Sequence, residues 1–278
     1  MNVAARIGRL VGVEAQKVLG GRGLVVGLVA VAAVTALTAW THAPDSAYET
    51  AWTRTAAALG AGLWAAEIFL LVAGTTAIAG ETAAGTLKMI LPHAYRRSDW
   101  VVAKALILAA QALALLATAV AVATVGGMLA GGLGDVTRTS DEPGLELPPE
   151  TLQTAAAMTG HLVSSAFVSL AALITTAWVG LLISCLFDAV VPAVSTGFLL
   201  FLGFKSAGTL FGAGPDVLEA IYAWYPGAML DRIEALGKAL NEGWREGLAG
   251  RGLRLSALVA AVAVALSLVV FTRRDLQS

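Results

Sequence analysis

Apolar residues along this chain come in runs too long for a soluble core. Gly23–Trp40, Ala57–Ala79, Ala105–Ala130, Leu162–Phe187 and Ala189–Gly212 are five such runs, and Ser256–Phe271 is a shorter sixth. A helix rising about 1.5 Å per residue needs about 20 apolar residues to cross a hydrocarbon core of about 30 Å. The pattern predicts an all-α membrane protein with six transmembrane helices in a single domain spanning 1–278. Little more than Asp188 separates the fourth and fifth runs. One long buried helix would fit that pattern too; Pro192 and the combined length favour a tight turn.

The polar stretches between the runs have patterns of their own. In residues 1–20, Val3, Ile7, Leu10, Val11, Val18 and Leu19 form a loose helical stripe, with Arg6, Arg9, Glu14, Gln16 and Lys17 over the remainder. That fits a helix lying flat on a membrane, and equally a cytosolic lead that carries topogenic charge. After the second run comes "GETAAGTLKMILPHAYRRSDW". Ala83, Ala84, Leu87, Ile90 and Leu91 recur there at helical spacing, predicting a short amphipathic helix over Glu81–Leu91. Glu81 suits its first turn, and Pro92 stops it. Arg96 and Arg97 follow as a basic knuckle, and Trp100 with Lys104 suits an interfacial anchor. The plainer reading is a surface loop whose basic residues only set topology. Over 213–253, Tyr222, Trp224 and Tyr225 precede Pro226 as an aromatic cluster suited to a water boundary. Ile233, Leu236, Leu240 and Trp244 then mark one side of a helix, or the segment is a plain outer loop carrying a surface helix.

Composition narrows the classes. The chain is 58% hydrophobic and 13% charged, against about 45–50% and about 25% in soluble domains. Its net charge of −1 points to no nucleic-acid partner. The single cysteine, Cys185, excludes an intrachain disulfide, and His42, His93 and His161 form no recognisable metal set. An even number of spans places both termini on one side. Arg6, Arg9, Lys17, Arg22, Lys88, Arg96, Arg97, Lys104, Arg273 and Arg274 would share that side, which predicts cytoplasmic termini in a multi-pass plasma-membrane protein. The first run exceeds the about 7–15 residues of a signal-peptide core and no small-x-small site follows Trp40, so an uncleaved first helix is expected.

Candidate chemistry is sparse. Two ionisable groups fall inside spans, Glu67 in the second and Lys205 in the fifth, at depths only about 4–5 Å apart. Each needs a partner or water; the two could pair with one another or line a polar path, and Lys205 could instead snorkel outward. Gly23/Gly27, Gly127/Gly131 and Gly208/Gly212 have close-approach spacing and are read as packing. His161 and Ser165 stand four apart with no supporting catalytic motif. No G-x-x-x-x-G-K-[ST] run occurs, so ATP hydrolysis by that route is not expected of this chain.

"ETAAGTLKMILPHAYRRSDWVVAKAL" resembles the signature after the second span of ABC-2 type permeases, the membrane subunits of type V ABC exporters. Glu81, Gly85, Thr86, Leu87, Leu91, Pro92, Arg96 or Arg97, and Lys104 occupy its places. The ending "VVFTRRDL" is similar too. A departure lies at the knuckle, where His93, Ala94 and Tyr95 separate Pro92 from the arginines. The resemblance implies that residues 1–20 are an elbow helix and 81–91 a coupling helix. It also implies outer or re-entrant helices over 213–253. Glu81, Gly85, Thr86, Leu87, Met89, Ile90, Leu91, Pro92, Arg96 and Arg97 would then contact an ATP-binding cassette subunit. Two such subunits would carry the ATP and magnesium, with no cofactor on this chain. A second permease copy or a sister permease would complete the wall. The function implied is export of an amphipathic substrate, a drug, antibiotic, peptide or lipid. The competing expectation is an ion-gradient-driven transporter or channel that uses Glu67.

Overall fold

The computed structural model of the chain describes residues 3–42, 50–86, 96–138, 150–210 and 248–273, with the side chains of 138, 150, 204–210 and 248–252 outside the description. Eight helices and one small ribbon occur among the described residues. They are α1 (Val3–Gly20), α2 (Arg22–Thr41), α3 (Ala51–Thr76), α4 (Ala79–Ala83), α5 (Arg97–Leu129), β1 (Val136–Arg138), β2 (Glu150–Gln153), α6 (Ala155–Leu186), α7 (Val190–Leu210) and α8 (Leu248–Arg273).

Five of them, α2, α3, α5, α6 and the Leu253–Arg273 part of α8, are long and apolar enough to cross a membrane. The helices run past the apolar runs that announce them. α5 has 33 residues and α6 has 32, about 50 Å each against a core of about 30 Å, so both must project from the hydrocarbon. Between α6 and α7 the chain turns within three residues: Phe187 is extended, and Asp188 and Ala189 bend before α7 starts. The alternative of one continuous helix is thereby excluded. Pro192 sits in the first turn of α7, where its missing N–H has no ladder partner to lose.

α3 is the axis of the bundle. Ala58, Leu59, Leu63, Ala66 and Leu70 are completely or almost completely buried, and α2, α5, α6 and α7 pack around it. It runs antiparallel to α5, with Gly62 against Ala119 and Gly127 against Thr55. It runs parallel to α6, where Gly74 meets Gly180 so closely that a Cβ on either would strike the other helix's backbone. Such contact requires glycine on both sides. Of the spaced glycine pairs in the sequence, only one member each of the first two packs: Gly27 lies on Phe69 and Gly127 on Thr55, while Gly23 and Gly131 face open space.

Two ends result. At one, α1, α4, the start of α5, the end of α6 and the start of α7 come together. At the other, the ends of α2 and α5 meet the starts of α3 and α6. The second end carries a feature the hydrophobic pattern did not predict, the antiparallel β1–β2 ribbon. Trp52 of α3 is buried beneath the loop leading to it and donates Nε1–H to the Gly134 carbonyl at 2.9 Å. The start of α6 is fixed there too: Thr154 caps it, accepting from the Ala157 N–H, and Asp135 Oδ1 accepts from the Ala155 N–H at 2.6 Å.

The segment expected to be a single helix over Glu81–Leu91 is not continuous. α4 stops at Ala83, a turn follows, and Gly85 has φ +69°. Glycine takes that left-handed conformation without steric cost, so the break is written at that position. Leu87, Met89, Ile90, Leu91 and Pro92 lie outside the described residues, as does 211–247. The last part of the expected outer segment, from Leu248 on, belongs to α8, which starts earlier than the apolar run suggested.

Candidate functional site

Four charged side chains meet at the first end. α1 contributes Glu14 and Lys17, which with Leu10 follow an i, i+4, i+7 spacing and so share one helix face. That face turns inward: Leu10 and Glu14 are buried, while Val3 and Leu19, the ends of the expected apolar stripe, are exposed. α4 contributes Glu81 from its first turn. α5 contributes Lys104 and Trp100, four apart on its opening turns.

The charges alternate around a closed ring. Lys104 Nζ donates to Glu14 Oε2 at 3.0 Å and to Glu81 Oε1 at 2.9 Å. Lys17 Nζ donates to Glu14 Oε1 at 2.9 Å and to Glu81 Oε1 at 3.0 Å. Trp100 Nε1–H donates to Glu81 Oε2 at 3.2 Å, and its ring lies 5.1 Å from the Lys17 ammonium and 5.3 Å from that of Lys104. Attraction between the cations and the ring face adds to the ion pairs. Two carboxylates and two ammonium groups leave the ring neutral. Next to it, Arg6 Nε donates to Asp99 Oδ2 at 2.9 Å. Asp99 stands in the first turn of α5, where the helix dipole also favours its charge.

Burial ranks the members. Side-chain exposure is 6% for Lys104, 7% for Glu14, 17% for Glu81 and 44% for Lys17. Lys104 and Trp100, expected as an interfacial anchor, are both buried against other helices of the protein. Burial pushes the Glu14 carboxyl up, but the Lys104 charge and the hydrogen bonds from Lys17 and Lys104 outweigh it, so Glu14 is held below its usual range. Burial likewise pulls Lys17 down, and its bonds to Glu14 and Glu81 outweigh that, holding it above its usual range. Both shifts favour the charged forms. The ring is an electrostatic clasp between α1, α4 and α5.

A second contact holds α4 from the other side. The backbone N–H groups of Ile78 and Ala79 both donate to Ser184 Oγ of α6, each at 2.8 Å. Thr86 Oγ1 then donates to the Glu81 carbonyl at 3.1 Å. Arg96 is exposed and Arg97 half-buried at the start of α5. Of the expected contact residues, Glu81 is a member of the clasp and Thr86 is bonded to its backbone; Gly85, Arg96 and Arg97 lie on the chain on either side of 87–95, and those from Leu87 to Pro92 fall outside the description.

Glu67 stands apart from this cluster, buried in α3, accepting from Thr176 Oγ1 at 3.3 Å. The side chain of Lys205 lies outside the description, so pairing between the two is untouched. Ser165 Oγ donates to the backbone carbonyl of His161 at 2.8 Å, a bond within one helix turn. Among the described residues no group of His, Cys, Asp or Glu could hold a metal ion.

Sequence reasoning missed the clasp as a unit. Its members are up to 90 positions apart, and only the shared face of Leu10, Glu14 and Lys17 hinted that α1 buries charge. The class these helices define is a multi-pass, helical membrane protein. Comparison with protein-family models gives no match, and comparison with curated proteins gives none either.

Proposed function

We propose that this chain is the membrane-spanning permease subunit of an ATP-driven exporter of the ABC-2 type, with ATP hydrolysed on a separate cytosolic subunit. The observation that carries this reading is the clasp. The segment entering at Glu81 is the part that resembles the coupling element of those permeases. Its start is tied through Lys104 to α5 and through Lys17 and Glu14 to α1. A push that reaches Glu81 would pass to two helices at once. The exported molecule would be amphipathic, in keeping with spans rich in small apolar residues. Both termini would be cytoplasmic, and α7 would be the fifth of six spans.

The test is co-purification from native membranes with a tagged chain. An ATP-binding protein is expected to accompany it, and Leu87→Asp or Arg97→Glu to abolish that association or to uncouple ATP hydrolysis from transport. Uphill transport on a sodium or pH gradient by the purified chain alone would overturn the reading. A second reading, an ion-driven carrier, is favoured by one observation: a buried Glu67 with a Thr176 hydroxyl beside it. Under that reading Glu67→Gln abolishes gradient-driven transport in the purified chain; under the exporter reading the chain alone shows none to abolish.

A further inference from the structure

We infer that Ser184 is a positioning residue that holds a switchable break between α3 and α4. The conformational claim stands without the exporter reading, and its consequence for transport rests on that reading.

The break has no proline or glycine at its centre. α3 ends at Thr76, and α4 starts at Ala79 after Ala77 and Ile78. In an unbroken helix the N–H of Ile78 would bond to the Gly74 carbonyl and that of Ala79 to the Thr75 carbonyl. Instead both donate to Ser184 Oγ, whose two lone pairs suffice for both. The Gly74 carbonyl is taken by the Ala77 N–H at 3.2 Å, a tighter turn. A side chain from a neighbouring helix that enters the ladder is a known cause of kinks.

The surroundings leave both states open. Just before the break, the Thr75 hydroxyl donates to the carbonyls of Leu71 and Val72, and that of Thr76 to those of Val72 and Ala73. Such back-bonding loosens a helix and bends it. Thr75, Thr76 and Ile78 are also β-branched, which weakens helix preference there. One turn earlier, Gly74 and Gly180 bring α3 and α6 into backbone contact, so neither helix carries a side chain at the point of closest approach. The two N–H donors therefore have two acceptor sets: Ser184 in the bent state and their own helix in the straight one. Beyond the break, Glu81 carries any swing of α4 into the clasp.

The test uses the chain alone in nanodiscs, so failure of the exporter reading cannot affect it. Spin labels are placed at Ala83→Cys and at the exposed far end of α5, Leu129→Cys, in a Cys185→Ala background. Ser184→Ala is expected to move the distance distribution by an amount on the order of one helical turn, ~5 Å. Ser184→Thr, which retains the hydroxyl, is expected to restore it. Ser267→Ala, which removes a buried hydroxyl bonded to Ala263 of its own helix, is expected to leave it unmoved. If Ser184→Ala does not fold, the isosteric pair Ser184→Thr and Ser184→Val makes the same comparison. An unchanged distribution in Ser184→Ala, or in Val relative to Thr, overturns the inference. So does an equal shift in Ser184→Ala and Ser267→Ala.

Discussion

At one end of the bundle, Glu14, Lys17, Glu81 and Lys104 join three helices through side-chain charge. At the other, the Trp52 indole, the Gly134 carbonyl and the β1–β2 ribbon join helices mainly through backbone. The difference is one of responsiveness. Backbone pairing has one solution for a given chain path. A ring of alternating charges has several, because each ammonium already faces two carboxylates and each carboxylate two ammoniums. The charged end can re-pair when α4 moves, and the ribbon end cannot follow without breaking. Under the exporter reading proposed above, the first end suits an input of force and the second a fixed wall.

The strongest way to break that comparison is Lys104→Met. Lys104 is the most buried member and bonds both acids from α5. Its loss leaves Glu14 and Glu81 sharing the half-exposed Lys17, with buried negative charge uncompensated, a change that costs about 3–5 kcal/mol. Thermal unfolding in detergent should show it as a large fall in midpoint. A loss below about 1 kcal/mol, the level of exposed pairs, would mean that water already reaches the ring.

The same residues show what the sequence could and could not reveal. Long apolar runs announced the spans, because crossing a bilayer constrains composition directly. Their ends were not legible. Arg97, Asp99 and Lys104 read as a boundary, yet α5 is helical through all of them, since α1 supplies Asp99 and Lys104 with partners in place of water. The stripe of the first helix turns inward at Leu10, with Ile7, Val11 and Val18 half-buried, but Val3 and Leu19 at its ends are exposed and the buried side also takes in Glu14, which pattern alone had placed among the polar residues. The Gly74–Gly180 crossing was invisible, because spacing within one helix says nothing of which partner helix a glycine faces. The ribbon was hidden for another reason: strands as short as Val136–Arg138 and Glu150–Gln153 leave no periodic signal.

Acid separates the two ends next. The Glu14 carboxyl is held low, so its contribution is fully present above the unfolded value of about 4.3 and is lost as pH falls through the folded value. Lys17 is held high, so its contribution is present below about 10.4 and is lost as pH rises through the folded value. The clasp should therefore give a flat stability plateau across neutral pH. Glu14→Gln should lower the plateau and make the acid limb shallower. Trp52→Phe, at the ribbon end, removes one hydrogen bond to the exposed Gly134 and should cost about 0.5–1.5 kcal/mol, leaving the shape of the pH profile as it was. A steepened acid limb in Trp52→Phe would show that the two ends are not independent.

Lys17→Gln should have the smallest effect and sharpens the comparison most finely. Lys17 is the one member with substantial exposure, and Glu14 and Glu81 each keep Lys104 when it is gone. The expected loss is that of a solvent-screened pair, about 0.2–1 kcal/mol, and should shrink further in high salt. The Lys104→Met effect, from a buried position, should change little with salt. Equal salt dependence in the two variants would make the ring a surface feature and remove the contrast with the ribbon end. Different dependence would place the working charge at Lys104, where α1, α4 and α5 converge.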